Sequence, residues 1–264
     1  MSSIDALRIK LFADGADIND MKEAYERGIV RGFTTNPTLM RKANISDYEA
    51  FARKAIEVIP DLPISFEVFS DEFDEMEQEA KQISSWGRNV VIKIPITNTK
   101  GESSLPLIRR LSDEGISLNI TAILTLRQVE GVVKNLNRSI DSIVSVFAGR
   151  IADTGVDPEP IMTEAANIAE SNPAAQLLWA SSRELLNIFQ AERCGCDIIT
   201  VTPDILKKLS NIGRDLDEFS LDTVKMFYRD AQAAGYRIAE RLPIRELVQR
   251  KSAARPSEER TIRL

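Results

Sequence analysis

The most constraining feature of this chain is a repeated order, met eight times: a short β-branched run, then a longer amphipathic stretch. The short runs are Arg8–Ala13, Arg31–Thr34, Ile64–Phe69, Val90–Pro95, Ile116–Thr121, Ser142–Phe147, Gln176–Ala180 and Ile198–Val201. The stretches with apolar residues at helical spacing are Asp17–Arg27, Ser46–Val58, Asp71–Ser85, Ser103–Glu114, Leu126–Asn135, Asp157–Glu170, Arg183–Arg193 and Pro203–Leu209. Strict alternation predicts a parallel sheet, because parallel neighbours are joined through right-handed crossovers. Eight such units in about 210 residues predict a closed (β/α)8 TIM barrel of the α/β class. An open doubly wound sheet is the alternative, but the first strand carries no glycine fingerprint of a dinucleotide fold. A further helix is expected at about Leu221–Arg241, so residues 1–241 read as one barrel domain with a C-terminal helix. Residues 242–264 read as a charged tail, with RKSAARPSEER near its end.

Composition narrows the chemistry. There is no histidine, which removes His-based metal sites, Ser-His-Asp and Cys-His nucleophiles, and His acid/base catalysis. Lys, Asp, Glu, Thr or Tyr must then do the work of any enzyme. Cys194 and Cys196, two positions apart, suit neither a structural disulfide nor a zinc site, and read as small buried residues. No metal and no cofactor is expected. A net charge of −6 predicts no basic patch and no nucleic-acid partner. The start, MSSIDALRIK, lacks an apolar signal core and no long apolar run occurs, so no membrane partner and a soluble, cytoplasmic protein are expected.

Strand parity then separates two faces. In ISLNIT (116–121), Ile116, Leu118 and Ile120 share one face and Ser117, Asn119 and Thr121 the other. The apolar set must meet the helices, which turns the polar set into the barrel. Barrel interiors are normally filled by branched apolar side chains, so inward polar groups near strand ends suggest a site. Glu67 in ISFEVF, Thr34 with Asn36, Ser145 with Phe147, Ser181 with Arg183, and Asp14 at the end of the first strand repeat this pattern. One such residue is ordinarily a satisfied structural hydrogen bond; several strands sending polar groups to one end are harder to read that way.

Lys93, within VVIKIPIT (90–97), stands in the middle of an apolar parallel strand. Lysine is rarely buried unless paired. Desolvation favours the neutral amine, which attacks carbonyls to form a Schiff base. The bland reading is a salt bridge with Glu67 on the neighbouring strand. Both readings are compatible, since a carboxylate beside an imine-forming lysine also shuttles protons through water.

GFTTNPTLM (32–40), VVIKIPIT (90–97), GISLNITAILTLRQ (115–128), SVFAGRIADTG (145–155) and LLWASSRE (177–184) resemble the transaldolase family, including its fructose-6-phosphate aldolases. The resemblance runs from about Leu11 to Phe227 with the motifs in the same order. It implies a (β/α)8 barrel with the Schiff-base lysine on the fourth strand, where Lys93 already lies. It also implies roles: Lys93 as the imine-forming residue, Asp14 as the acid/base of carbon–carbon cleavage, and Glu67 with Thr121 as holders of a relay water. Thr34, Asn36 and Asn119 would bind substrate hydroxyls, Ser145 the hydroxyl end of the dihydroxyacetone unit, and Arg150, Ser181 and Arg183 the phosphate. Arginine suits phosphate because its planar fork binds two oxygens at once.

The resemblance further implies a dihydroxyacetone transfer from a ketose phosphate to an aldose phosphate such as glyceraldehyde 3-phosphate or erythrose 4-phosphate. The aldolase branch resembles a pattern with Gln at position 67 and Tyr at position 147; Glu67 and Phe147 match the transferase pattern instead. A lyase releasing free dihydroxyacetone, a transaldolase acting on another anionic ketose such as a sulfonated sugar, and a non-catalytic barrel are the competing readings. Gly15, Val146 and Ser182 depart from the family pattern. A homo-oligomer (dimer, pentamer or decamer) is the expected assembly.

Overall fold

A computed structural model describes residues 7–238. The tail predicted over 242–264 lies outside the described residues, as does the end of the predicted last helix. The chain divides into two compact units, Met1–Gly213 and Arg214–Leu264.

The first unit is a closed barrel of eight parallel strands in sequential order. They are β1 (Lys10–Asp14), β2 (Gly32–Thr34), β3 (Ile64–Glu67), β4 (Val90–Pro95), β5 (Leu118–Ile123), β6 (Ser142–Val146), β7 (Ala175–Trp179) and β8 (Ile198–Val201). Closure comes from β1 pairing with β8, Phe12 opposite Thr200. The sheet therefore has no free edge, and the open doubly wound alternative falls. Helices cross between the strands: α1 (Ile18–Glu26), α2 (Pro37–Lys42), α3 (Tyr48–Val58), α4 (Phe73–Ser84), α5 (Leu105–Asp113), α6 (Leu126–Asn135), α7 (Ala148–Ala152), α8 (Glu159–Ala169), α9 (Leu186–Arg193) and α10 (Pro203–Lys207). In the second unit, α11 spans Leu216–Ala233, earlier at both ends than Leu221–Arg241. Asp215 caps it by accepting from the amides of Asp217 and Glu218.

Parity along the strands builds two cores. Outward residues such as Phe33, Phe66, Ile92, Ile94, Leu118, Ile120, Val144 and Trp179 meet the helices in the main cluster. Inward residues Phe12, Val91, Ile143, Leu178 and Ile198 form a separate cluster inside the barrel. Gly32 stands opposite Phe12, and a Cβ there would lie 2.4 Å from the ring. Glycine on β2 is what lets that ring fill the barrel axis. The apolar cluster occupies the interior below the site, so polar inward residues collect where the strands end.

Six of the eight strands differ from the sequence reading in their bounds; β3, for example, ends at Glu67 rather than Phe69, and β7 runs Ala175–Trp179 rather than Gln176–Ala180. β5 runs Leu118–Ile123 rather than Ile116–Thr121, and its pairing with β6 shifts between Ile120 and Ile123. Ala122 there adopts φ 60°. β1 begins two residues later than expected, at Lys10. The helices α2 and α7, of 6 and 5 residues, were not anticipated. Segments that short complete too little of the helical period to be recognised by it. Cys194 and Cys196 are buried free thiols, and burial pushes both thiols up from their ordinary range.

Candidate active site

At the C-terminal ends of the strands a cavity of about 410 Å³ gathers side chains from every strand. All of the sequence-predicted site residues line it: Asp14, Thr34, Asn36, Glu67, Lys93, Asn119, Thr121, Ser145, Phe147, Arg150, Ser181 and Arg183. The register explains the convergence. Asp14 pairs with Thr34 across β1–β2, Glu67 with Lys93 across β3–β4, and Lys93 with Asn119 across β4–β5. Cross-strand partners share a face, so each neighbour adds its polar group to the same wall.

Lys93 is 7% exposed. Its Nζ donates to the Thr35 carbonyl at 2.5 Å and lies 3.3 Å from Glu67 Oε2. The ion pair expected as the bland reading is therefore real, and it sits inside the cavity rather than apart from it. The two acceptors fix the amine at the cavity wall. The Thr35 carbonyl is held in turn, for the Thr35 hydroxyl donates to the Ser65 carbonyl at 3.0 Å.

On one side of the amine a buried chain of hydrogen bonds spans three strands. Ser145 Oγ donates to Asn119 Oδ1 at 2.6 Å, and Asn119 Nδ2 donates to Ser65 Oγ at 3.1 Å. The Asn119 amide is thus oriented by protein groups on both of its atoms. On the other side, Thr34 Oγ1 donates to Asp14 Oδ1 at 2.8 Å. Burial raises the Asp14 carboxyl above the usual carboxylate range; Lys93 and the Thr34 and Asn36 bonds oppose the rise, and Glu67 adds to it. A carboxyl held there can both take and return a proton. Asn36 has a second task, because its Oδ1 accepts from the Leu39 amide at 3.0 Å and caps α2. That leaves its amide nitrogen for the bond to Asp14.

The rim carries the cations. Arg150 stands on α7, directly after β6. Arg183 follows β7, with its Nε donating to Asp153 Oδ1 at 3.3 Å and its terminal amine to Asp153 Oδ2. Between them Ser181 adopts φ 65°. β7 ends at Trp179, so the face alternation read through Ser181 and Arg183 does not continue; a left-handed turn brings both to the cavity instead. Gly149 makes this turn possible, for a Cβ there would lie 1.7 Å from the Ser181 carbonyl oxygen.

Four participants carried no sequence signal strong enough to be singled out. The Thr35 carbonyl is a backbone group. Asp153 is one carboxylate among many. Thr200 and Thr202 also line the cavity, but within IITVTP they read as β-branched strand residues.

A (β/α)8 barrel with a buried lysine at its strand ends, flanked by carboxylates and amides and rimmed by arginines, defines a lysine-centred barrel enzyme. The model of the transaldolase/fructose-6-phosphate aldolase family matches residues 11–240, and the chain belongs to that family. Among its relatives, a probable transaldolase of Thermoplasma volcanium is 37% identical over 203 residues, covering 76% of this chain and 87% of the relative. A probable transaldolase of Dehalococcoides mccartyi is 32% identical over 76% of this chain and 90% of its own length. One of Clostridioides difficile is 33% identical over 231 residues, 87% of this chain and 100% of the relative.

Proposed function

We propose that the protein is a transaldolase that moves a dihydroxyacetone unit from a ketose phosphate to an aldose phosphate through an imine on Lys93. The observation that carries this reading is the placement of Lys93: inward, 7% exposed, and 3.3 Å from Glu67 in a cavity shared with Asp14.

The ketose C2 carbonyl enters beside Nζ. The Lys93 nitrogen bonds to C2, two of its ammonium protons pass to the carbonyl oxygen, and that oxygen leaves as water, giving the protonated imine. A water held by Glu67 and Thr121, which both line the cavity, carries these protons. Asp14 takes the proton of the C4 hydroxyl as the C3–C4 bond breaks, and those bonding electrons pass to the imine as an enamine. The aldose phosphate departs. A second aldose phosphate binds, its aldehyde accepts the enamine carbon, and Asp14 returns the proton to the new hydroxyl. Hydrolysis of the imine frees Lys93. Asn119 and Ser145 hold the donor's hydroxyls, and Arg150, Ser181 and Arg183 receive the phosphate.

Phe147 and Glu67 favour transfer over release. Phe147 offers the enamine no hydroxyl proton, so the intermediate persists until an aldehyde arrives. Incubation with fructose 6-phosphate and borohydride tests the reading: a covalent three-carbon mass gain on Lys93 is expected, and its absence overturns the imine. Cleavage without acceptor as fast as transfer would make the enzyme a lyase instead.

We infer a cytoplasmic place for it, since doubly charged sugar phosphates do not cross bilayers unaided. Among the described residues, no helix is long and apolar enough to cross a membrane. A homo-oligomer is the assembly we propose, supported by the exposed apolar residues Leu216, Phe219, Val224 and Phe227 on α11.

A further inference from the structure

Beside the residues that act on substrate in this mechanism lies a buried hydroxyl that, among the described residues, hydrogen-bonds only to another hydroxyl. Thr200, on β8, is 6% exposed, and Thr34 on β2 is 4% exposed. Their Oγ1 atoms are 2.6 Å apart, and Thr34 Oγ1 is in turn 2.8 Å from Asp14 Oδ1. β1 lies between β2 and β8, pairing Phe12 with Thr200 and Asp14 with Thr34. Three adjacent strands therefore hold one short chain of polar atoms ending at the carboxylate.

Counting protons gives this chain a direction. Each threonine hydroxyl has one proton to donate. An ionised Asp14 only accepts, so the Thr34 proton must point at Asp14. The Thr34–Thr200 contact then needs its proton from Thr200. When Asp14 is protonated the whole chain can reverse, with Asp14 donating to Thr34 and Thr34 to Thr200. Both arrangements are satisfied, but the first ends on a charge, and charge-assisted hydrogen bonds are about twice as strong as neutral ones. The bond from Thr200 also polarises the Thr34 hydroxyl that receives it.

We propose that Thr200 is a positioning residue for the acid/base step: its hydroxyl sets the direction of Thr34 and thereby favours the ionised, proton-accepting form of Asp14. Thr200 acts only through Thr34. The inference rests on Asp14 serving as the acid/base in the proposed reaction.

The other groups around Asp14 make the effect legible. Lys93 from β4 and Glu67 from β3 act on it by charge, in opposite directions. β2 offers the Thr34 hydroxyl and the cap of α2 the Asn36 amide, neither charged. Asp20, Glu23, Arg27 and Lys207 line a neighbouring groove that Asp14 also borders. Replacing Thr200 by valine keeps shape and changes none of these charges. It removes the donor that favours the ionised carboxyl, so the Asp14 titration must move upward.

Two measurements on the full chain test this, with Thr200→Val and Thr200→Ser side by side. The first is a carbon-13 carboxyl titration of aspartate-labelled protein by NMR, with Asp14→Asn identifying the signal. Thr200→Val is expected to move the Asp14 midpoint up by about half to one pH unit, the size of one hydrogen bond. Thr200→Ser, which retains the donor, is expected to restore it. The second is the pH profile of transfer from fructose 6-phosphate to erythrose 4-phosphate. The acid limb of kcat should move in the same direction, with kcat on that limb falling roughly three- to tenfold and KM little changed.

An Asp14 midpoint unmoved in Thr200→Val, or moved equally in Thr200→Ser, overturns the inference whether or not the protein is active. Wild-type protein that forms no borohydride-trapped adduct overturns the proposed reaction instead, and the titration still decides what Thr200 does to Asp14. Should Thr200→Val fail to fold, Thr200→Ala removes the same donor and the same midpoint is read. That variant overturns the inference if its midpoint stays with the wild type.

Discussion

Ser65 and Asp14 show two opposite bargains between stability and chemistry at single residues. Ser65 is fully buried and receives the Asn119 amide at 3.1 Å. Ser65→Ala leaves that amide proton without a partner in a dry wall, and is expected to lower unfolding stability by about 1–3 kcal/mol, as read from urea denaturation. Equal stability would mean that water replaces the hydroxyl. Asp14 works the other way. Its carboxyl is raised by burial in the folded chain, so the folded state holds its proton to higher pH than the unfolded one. Stability from this group is present below about pH 3.9, the ordinary carboxylate value, and is lost as pH rises through the native value. Asp14→Asn should therefore melt higher than wild type at pH 8 and lose that advantage as pH is lowered towards 4. Calorimetric melting at both pH values checks this; an advantage that grows on acidification would contradict it. Lys93 and Glu67 were both visible in the sequence, because a charge inside an apolar strand has few explanations. The acceptor that holds Lys93, the Thr35 carbonyl, was not, since a backbone oxygen leaves no mark on composition. Thr200 was hidden for another reason: threonine is also a favoured strand former, so its place in IITV asks for no special account.

Whole strands were easier to read than their ends. β4 and β8 coincide with the expected Val90–Pro95 and Ile198–Val201, where apolar runs stop at a proline or a turn. β5 lies two residues later than read, and its ladder with β6 shifts where Ala122 adopts φ 60°. The parity read for it holds, since Asn119 and Thr121, two residues apart and in regular register with β4, share the inner face. The end of β7 did not follow parity at all. There, Ser181 at φ 65° packs against the first turn of α7. Such strain at a non-glycine residue costs of order 1–3 kcal/mol and persists where its surroundings enforce it. Gly149 is the enforcing contact, so Gly149→Ala should push the β7–α9 connection outward. Stability is expected to fall by roughly 1–3 kcal/mol. Because Arg150, Ser181 and Arg183 all hang on that junction, the substitution should also raise KM for fructose 6-phosphate more than for unphosphorylated fructose. Equal effects on both donors would separate this junction from phosphate binding.

At the scale of the molecule, the barrel limits how copies can meet. Closure of β1 on β8 leaves no strand edge to pair with another chain. The homo-oligomer proposed above would then meet through helices or loops. α11 is 18 residues long, and Leu216, Phe219, Val224, Met226 and Phe227 fall on one side of it. Each of these is exposed, and none of the residues of α11 is buried. Within its own unit the helix is fixed at its start, where Arg214 pairs with Asp222 at 2.6 Å and stacks 4.5 Å over Phe219. A helix defined that well but left with an apolar stripe needs a cover, and a second copy of the chain is the cover proposed here. Placing a carboxylate in the middle of the stripe, as Phe227→Glu, sets an unpaired charge against the apolar contact at an energetic cost that favours separation. Light scattering should then show wild type at a multiple of 29.5 kDa and the variant near 29.5 kDa itself. Because every predicted site residue lies within residues 14–183, the separated chain should still form the borohydride-trapped adduct on Lys93. A variant of unchanged mass would overturn the apolar side of α11 as the contact between copies.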